Sequence, residues 1–401
     1  MKKILFITNR NIIETCGELR LIKNRANALY EFYNISTDFV VCRKETNSSI
    51  IEAINKNFSI TPFFFSYYKP WTILTSWIKT QKYILEALSS KQYSCVIFSG
   101  FIPTRVISVT VNTFPFLYYI YDHHGTIREL IEFNNKSFLE KILRRVAYYL
   151  ISGNIGRSVR KVDGFFVVSK ALKKNLVFEY NITDKQFFLV PCANSNQKIV
   201  INEQIEYREF YRHKYNIKND EVLFVYSGGV SPWQCLDISI ELFRKIKQIN
   251  GWENSKFLIL SGSTEKVRNI IGKEKGFILD SFLPTEIDKV LCSGDIAFLL
   301  RENFVTNNVA YPNKFLEYVR SGMYIIATEY IYDVAEKIKQ NNFGYILENN
   351  INKLMSAISK RPAYGQDFEK REKLLHEEGF EIKLQPFVME LMKHEKNIPY
   401  S

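Results

Sequence analysis

The chain predicts an α/β protein built from two doubly wound parallel-sheet domains. Three observations carry this. Its 401 residues suit two domains at the usual ~100–200 residues each. Short apolar runs alternate with segments of helical spacing almost end to end, as parallel βαβ units do. At 46% hydrophobic and 24% charged, the composition is ordinary for a globular chain that can fill two cores.

Ile4–Thr8 reads as the first buried strand. The polar loop Asn9–Gly17 follows it, at the carboxyl edge of such a sheet, where ligands bind. Asn9–Gly17 is therefore a candidate site wall. The loop is not a GxGxxG and fails as a dinucleotide signal. Glu18–Tyr33 sets Leu19, Ile22, Ala26 and Leu29 at helical spacing, and Thr37–Cys42 is the next strand. In residues 61–85, aromatic rings interleave with Lys69, Lys79 and Lys82. That pattern suits a membrane interface, or a helix and loop whose rings close the domain core.

Ser94–Ser99 and Phe116–Tyr121 are strands, and the second runs into Asp122-His123-His124-Gly125 and on to Glu129. Titratable groups crowded behind a buried strand are what a site at a sheet edge needs. The adjacent histidines cannot face the same way, so the alternative is one loop histidine and one core histidine. Ser137–Lys161 is basic and partly amphipathic, with Lys141, Arg144, Arg145, Arg157, Arg160 and Lys161. It suits either an anionic lipid surface or a solvated helix over the sheet. Asp163–Ser169 and Phe187–Val190 are strands flanking a helix at Lys170–Phe178. The polar stretch after Pro191 closes a first domain of residues 1–193 and supplies a linker at 194–205.

The second domain is placed at residues 206–379, opening with a helix at Glu206–Ile217 and a strand at Leu223–Tyr226. In Ser227-Gly228-Gly229-Val230-Ser231-Pro232-Trp233-Gln234, Ser231 can cap a helix, Pro232 can open it, and Gln234 falls at the capping-box position. Gly228 and Gly229 let backbone N–H groups approach a phosphate with no Cβ in the way. Lys256–Leu260 is a strand with Gly262 at its exit. Gly276–Leu279 is a short strand beside which a nucleobase could rest, and Glu286–Leu291 is helical. Asp295–Leu300 is a strand that ends at Arg301, which either reaches a ligand phosphate or pairs with Glu302 or Asp295.

Tyr311–Thr328 reads as a short helix running into a buried strand. Pro312 suits its first position and Gly322 the residue just past its end. Phe315, Leu316 and Val319 face a core, while Lys314 and Glu317 share another face. Unpaired N–H groups and the dipole at a helix start favour phosphate. Pro312, Asn313 and Lys314 stand at that start, and Glu317 can accept hydrogen bonds from sugar hydroxyls. The plainer alternative is a core helix with a solvated Lys–Glu pair. Further helix and strand patterns follow to the end, with 380–401 as a terminal helix.

Formal net charge is +12, and residues 1–193 carry 26 Lys/Arg against 14 Asp/Glu, the later residues 28 of each. A basic half attracts nucleic acid, anionic lipid or phosphorylated substrates. No zinc-finger, RRM or KH pattern accompanies it, so no nucleic-acid partner is expected. The six cysteines are scattered singly, which fits a reducing compartment and neither a disulfide frame nor a zinc site. Lys2-Lys3 precedes too short an apolar run for a secretory signal. The longest apolar run, Val106–Tyr121, falls short of the ~20 residues that span a bilayer.

The Pro312, Lys314, Glu317, Tyr318 and Gly322 pattern resembles the donor-site signature of bacterial GT-B fold glycosyltransferases, family 4-like. The Asp122, His124 and Gly125 segment resembles their Asp-x-His-Gly segment, which faces acceptor and sugar; Glu129 corresponds loosely. The resemblance covers nearly the whole chain. It implies two Rossmann-like domains facing a cleft, with the terminal helix crossing back to the first. It also implies transfer from a nucleotide-diphosphate-sugar to a glycan or lipid-linked acceptor, with retention, in surface polysaccharide or glycoconjugate synthesis. His124 and Asp122 would be catalytic; Gly228, Gly229, Ser231, Gly262, Arg301, Pro312, Asn313, Lys314 and Glu317 would hold the donor; Gly17, Gly125 and Glu129 would face the acceptor. No cofactor beyond the donor substrate is implied. The chain has no Asp-x-Asp, in keeping with metal-independent transfer in the cytoplasm, with peripheral contact at the inner face of an anionic membrane. Two departures are clear: Gly229 stands where the family has Arg and Gln234 where it has Lys, and the first Glu of the family's Glu-x7-Glu is Val309. The expectation is that Lys314, with Arg301, supplies the missing cations. An inactive homologue serving as a partner subunit, or a sugar-nucleotide epimerase, are the other readings.

Overall fold

A computed structural model of the chain describes residues 2–11, 17–43, 59–64, 70–133, 137–192, 200–283 and 285–396. It forms two compact units: Met1–Ala193 together with Glu378–Ser401, and Asn194–Glu377.

In the first unit the chain order is β1 (Lys3–Asn11), α1 (Gly17–Tyr33), β2 (Ser36–Arg43), β3 (Ser59–Phe64), α2 (Pro70–Ser90), β4 (Cys95–Ser99), α3 (Thr104–Thr113) and β5 (Tyr118–His123). There follow α4 (Glu129–Glu132), α5 (Phe138–Ser158), β6 (Gly164–Val167), α6 (Lys170–Tyr180) and β7 (Gln186–Leu189). The seven strands lie in the order β3-β2-β1-β4-β5-β6-β7, and every pairing is parallel. Helices cover both faces of such a sheet, so its strands read as continuous apolar runs. Ile4, Phe6, Val96, Phe98, Ile120, Phe165 and Phe166 are accordingly buried.

The second unit runs α7 (Ile201–Lys214), β8 (Leu223–Ser227), α8 (Leu236–Lys247), β9 (Lys256–Leu260), α9 (Thr264–Ile271), β10 (Phe277–Asp280), α10 (Ile287–Leu291) and β11 (Ile296–Leu299). It continues with α11 (Val305–Asn308), α12 (Asn313–Arg320), β12 (Tyr324–Ala327), α13 (Tyr332–Asn341), β13 (Gly344–Ile346), α14 (Ile351–Ser359) and α15 (Phe368–Glu377). Its parallel sheet has the order β10-β9-β8-β11-β12-β13. The core is aromatic: Phe224 stacks on Phe298 at 5.4 Å and packs edge-on against Phe243. The last helix, α16 (Phe380–Lys396), belongs to the first unit, where it packs on α1 and β7. Phe387 is its anchor, its ring 4.9 Å from that of Phe166 and 5.6 Å from that of Phe188.

The polar stretch expected as a linker to residue 205 is shorter, because α7 already begins at Ile201. Arg208 and Arg212 of that helix both pair with Asp295, at the foot of β11. The aromatic stretch 61–85 divides between β3 and α2, and its side chains up to Trp77 lie outside the described residues.

Candidate functional site

In the second unit, the exits of β8 and β11 and the start of α12 converge on Gln234. Lys314 Nζ donates to Gln234 Oε1 at 2.6 Å and lies 4.4 Å from the centroid of the Tyr226 ring. Arg301 Nη1 donates to the Gln234 carbonyl at 3.1 Å and to that of Leu300 at 2.8 Å. Tyr226 Oη donates to the Gly229 carbonyl at 2.7 Å. Gly228 has φ +145°, and a Cβ there would collide with Lys314 Nζ and lie 2.7 Å from Gln234 Oε1. The glycine is what leaves the ammonium its place.

Two cations thus stand close together beside a glycine turn. Burial, and then the neighbouring Arg301, push the Lys314 ammonium well below its ordinary pKa, with Glu317 opposing the shift. Burial likewise lowers Arg301. A site of this kind gains from an incoming anion, which neutralises both charges at once. Among the described residues, the N–H groups of Gly229, Val230, Ser231, Asn313 and Lys314 donate to no protein acceptor. They are the donors a phosphate would use.

Several expectations are refined. The N–H of Gly228 is already bound to the Leu260 carbonyl at 2.8 Å, so the available donors start at Gly229. Among the described residues Arg301 forms no salt bridge; it is 7% exposed and donates to backbone carbonyls, while Asp295 is engaged by Arg208 and Arg212. Ser231 caps nothing with its side chain and no capping box forms: Pro232–Gln234 close a 3-10 turn, and Cys235 turns left-handed at φ 50° before α8 starts. Pro312, at ψ 135°, is the extended residue before α12 and not its first helical residue. Gly322 does follow the helix end, at φ +75°. Glu317 is 7% exposed. Gly262 sits past β9 with open space around it and touches nothing in the Lys314 cluster. Sequence reasoning missed Tyr226, and it had Tyr318 only as part of the resemblance pattern, with no role of its own. The Tyr318 hydroxyl accepts the N–H of Ser227 at 3.0 Å, tying α12 to the end of β8.

In the first unit, Asp122 is the last residue but one of β5 and is fully enclosed. Arg25 of α1 donates to its Oδ1, Ser99 Oγ lies 3.3 Å from Oδ2, and His124 Nε2 lies 2.7 Å from Oδ2. Arg25 also donates to the Val190 carbonyl and is 0% exposed. Despite the opposing effect of burial, the Arg25 charge and the hydrogen bonds from His124 and Arg25 hold Asp122 well below the usual carboxylate range. At 2% exposure, the Asp122 carboxylate faces Arg25, Ser99 and His124 and not solvent. An ionised Asp122 selects the Nε2–H tautomer of His124 and leaves the ring lone pair on Nδ1. His123 is the core histidine: its ring stands edge-on to Tyr121 at 4.5 Å, its Nε2 is buried with no partner, and burial drives its pKa down to about 4. Gly125 lies in open space, Glu129 opens α4, and Gly17 opens α1 next to residues 12–16, which lie outside the described residues. Arg25 was the missed residue here.

Two parallel-sheet units of this topology make the GT-B fold, shared with glycosyltransferases. No protein-family model and no curated protein sequence matches the chain. Solved structures do. WaaG, a glycosyltransferase involved in lipopolysaccharide biosynthesis, is 12% identical with TM-score 0.62, covering 96% of this chain and 98% of its own. A mutant of TarM from S. aureus, solved with fondaparinux, α-GlcNAc-glycerol and UDP, is 12% identical with TM-score 0.65, covering 98% and 100%. An α,α-trehalose 6-phosphate synthase from Burkholderia multivorans is 8% identical with TM-score 0.65, covering 99% of each chain.

Proposed function

We propose that the chain is a glycosyltransferase that takes a sugar from a nucleotide-diphosphate-sugar and gives it to a glycan or lipid-linked acceptor. One observation carries the reading: Lys314 and Arg301 meet at Gln234 beside Gly228. The loop cations that the family resemblance calls for are lacking, and these two charges stand near where they would be. As the glycosidic bond breaks, negative charge grows on the leaving diphosphate. Lys314, Arg301 and the free N–H groups from Gly229 onward would stabilise it without reorganising. The inactive-homologue reading rested on the missing cations, and the relocated pair weakens it.

In the first unit, His124 would meet the acceptor side, held in one tautomer by Asp122, with Gly125 leaving room beside it. Independence from metal, retention of configuration and a place in bacterial surface polysaccharide or glycoconjugate synthesis belong to the same proposal. They are supported by the sequence resemblance, and the last also by the likeness to WaaG, a glycosyltransferase involved in lipopolysaccharide biosynthesis; a cytoplasmic location with peripheral contact at an anionic membrane rests on the sequence resemblance alone. No helix among the described residues is long and apolar enough to cross a membrane.

The test begins with a thermal-shift screen of UDP-, GDP- and dTDP-sugars, followed by calorimetry with the nucleoside diphosphate it selects. Lys314→Ala should weaken binding about 10- to 100-fold, the worth of one charge-assisted hydrogen bond. Unchanged binding in that variant would refute the donor assignment.

A further inference from the structure

Among the described residues, helix α5 carries a row of large apolar side chains that stand exposed. Phe138 is 79% exposed, Leu139 67%, Leu143 60%, Tyr149 72% and Leu150 69%, with Ile142 and Val146 between them. At 3.6 residues per turn, these seven positions fall within an arc of roughly 140°. Two exposed aromatic rings, each worth ~150–250 Å² when covered, already approach the ~300–600 Å² of the largest patch on a typical monomer. The five aliphatic side chains exceed it.

The helix is held firmly while this face stays bare. Ser137 and Glu140 close a capping box at its start. Near its end, Asn154 and Ser158 bond Thr104 of α3, at 2.7 Å and 2.9 Å for the two shortest contacts. Ile155 and Ser158 are its buried back.

The rim of the face is basic. Lys141 and Arg145 flank one long edge; Arg157, Arg160 and Lys161 gather at the far end, and all five are exposed. None of the five forms an ion pair among the described residues. The only carboxylate of the helix, Glu140, is turned to the capping box. Two copies of this face set together would bring like charges into contact with no acid to oppose them. An apolar face with a cationic rim instead matches acyl chains below a layer of anionic headgroups.

We propose that α5 docks the first unit on an anionic lipid bilayer, with Phe138, Leu139, Leu143, Tyr149 and Leu150 entering the headgroup boundary and the basic rim meeting lipid phosphates. This deepens the glycosyltransferase reading, on which it rests only for its purpose. Helix α4, which follows the His124 loop, packs directly on α5, so a docked α5 would keep that loop at the membrane, where a lipid-linked acceptor lies.

Vesicle co-sedimentation tests it, using phosphatidylcholine alone and phosphatidylcholine with about one-third phosphatidylglycerol. The full chain should partition onto the anionic vesicles and scarcely onto the neutral ones. Lys141→Ala/Arg145→Ala/Arg160→Ala should weaken partitioning on the order of a hundredfold, at about 1 kcal/mol or fivefold per charge. Leu139→Ser/Leu143→Ser/Leu150→Ser should abolish it. Both variants should melt with the wild type and bind nucleoside diphosphate as it does, so a failed donor assignment leaves the vesicle result standing. Equal binding to neutral vesicles, wild-type partitioning by the leucine variant, or a wild-type dimer by light scattering that the leucine variant loses would each overturn the proposal.

Discussion

Gly228→Ala is the sharpest perturbation of the proposed donor site, because one methyl group acts on two quantities that can be read apart. At φ +145° an alanine is strained, and positions of this kind cost about 1–3 kcal/mol. For a unit of this size that is a fall of roughly 2–12 °C in Tm. The new Cβ would also occupy the place of Lys314 Nζ and lie 2.7 Å from Gln234 Oε1. A lysine tip moves easily, so the clash itself adds little to unfolding. It does move the ammonium, and one charge-assisted bond to phosphate is worth ~1.5–3 kcal/mol, or about 10- to 100-fold in affinity. Gly251→Ala is the matched control: its φ is also positive, at +87°, but its Cβ would meet nothing within 4 Å and moves no site residue. It should leave affinity within about twofold, as ordinary surface changes do. Calorimetry with nucleoside diphosphate and a thermal melt on each variant decide the matter. If both variants bind alike, the Gly228–Lys314–Gln234 arrangement is not what holds the diphosphate.

Three further outcomes follow from the same geometry. A diphosphate opposite Lys314 raises the pKa that burial and Arg301 depress, so binding should take up protons and weaken as pH rises; titrations in two buffers of different ionisation heat that show no uptake at any pH below the ordinary lysine range would contradict this. Asp122→Asn leaves the 0%-exposed Arg25 without its counter-charge, which should cost about 3–5 kcal/mol in urea unfolding; a loss under ~1 kcal/mol would show that the pair is not the anchor described. His123, at about 4 in the fold against an ordinary 6.5, binds its proton more readily when unfolded. Stability should therefore fall by about 3 kcal/mol as pH drops from ~6.5 to ~4, and His123→Phe should flatten that part of the curve; an unchanged curve would count against the buried neutral ring.

The strands were legible because helices cover both faces of each sheet, which forces unbroken apolar runs such as Leu223–Tyr226 and Ile325–Ala327. The helix at 313–320 was legible from Phe315, Leu316 and Val319, though Pro312 sits one step earlier than expected, its ψ of 135° keeping it extended. The Ser231–Gln234 turn was misread for a physical reason. Ser-Pro-x-Gln satisfies every local rule for a helix start, and nothing in it announces that Cys235 turns left-handed at φ 50°. That turn is what lets the Gln234 side chain bond Lys314 and not its own helix. Arg25 did leave a trace: it lies three residues after Ile22 and four before Leu29, a lone cation on an apolar face. Its partner, 97 positions away, could not be found from local pattern. Arg301 was left between phosphate and carboxylate, because spacing cannot show that Asp295 is claimed by two other arginines.

The bond from the Ser227 amide to the Tyr318 phenol has a practical side. β11 pairs with β8 only at Phe224 and Val225, so the end of β8 finishes its polar valences with a side chain from a helix 91 positions later. Neither recognition segment is self-contained. Anyone transplanting the Asn313 helix into another scaffold would need to carry residues 227–234 along, and a chimaera that splits the two would expose an orphan amide before it ever met a ligand.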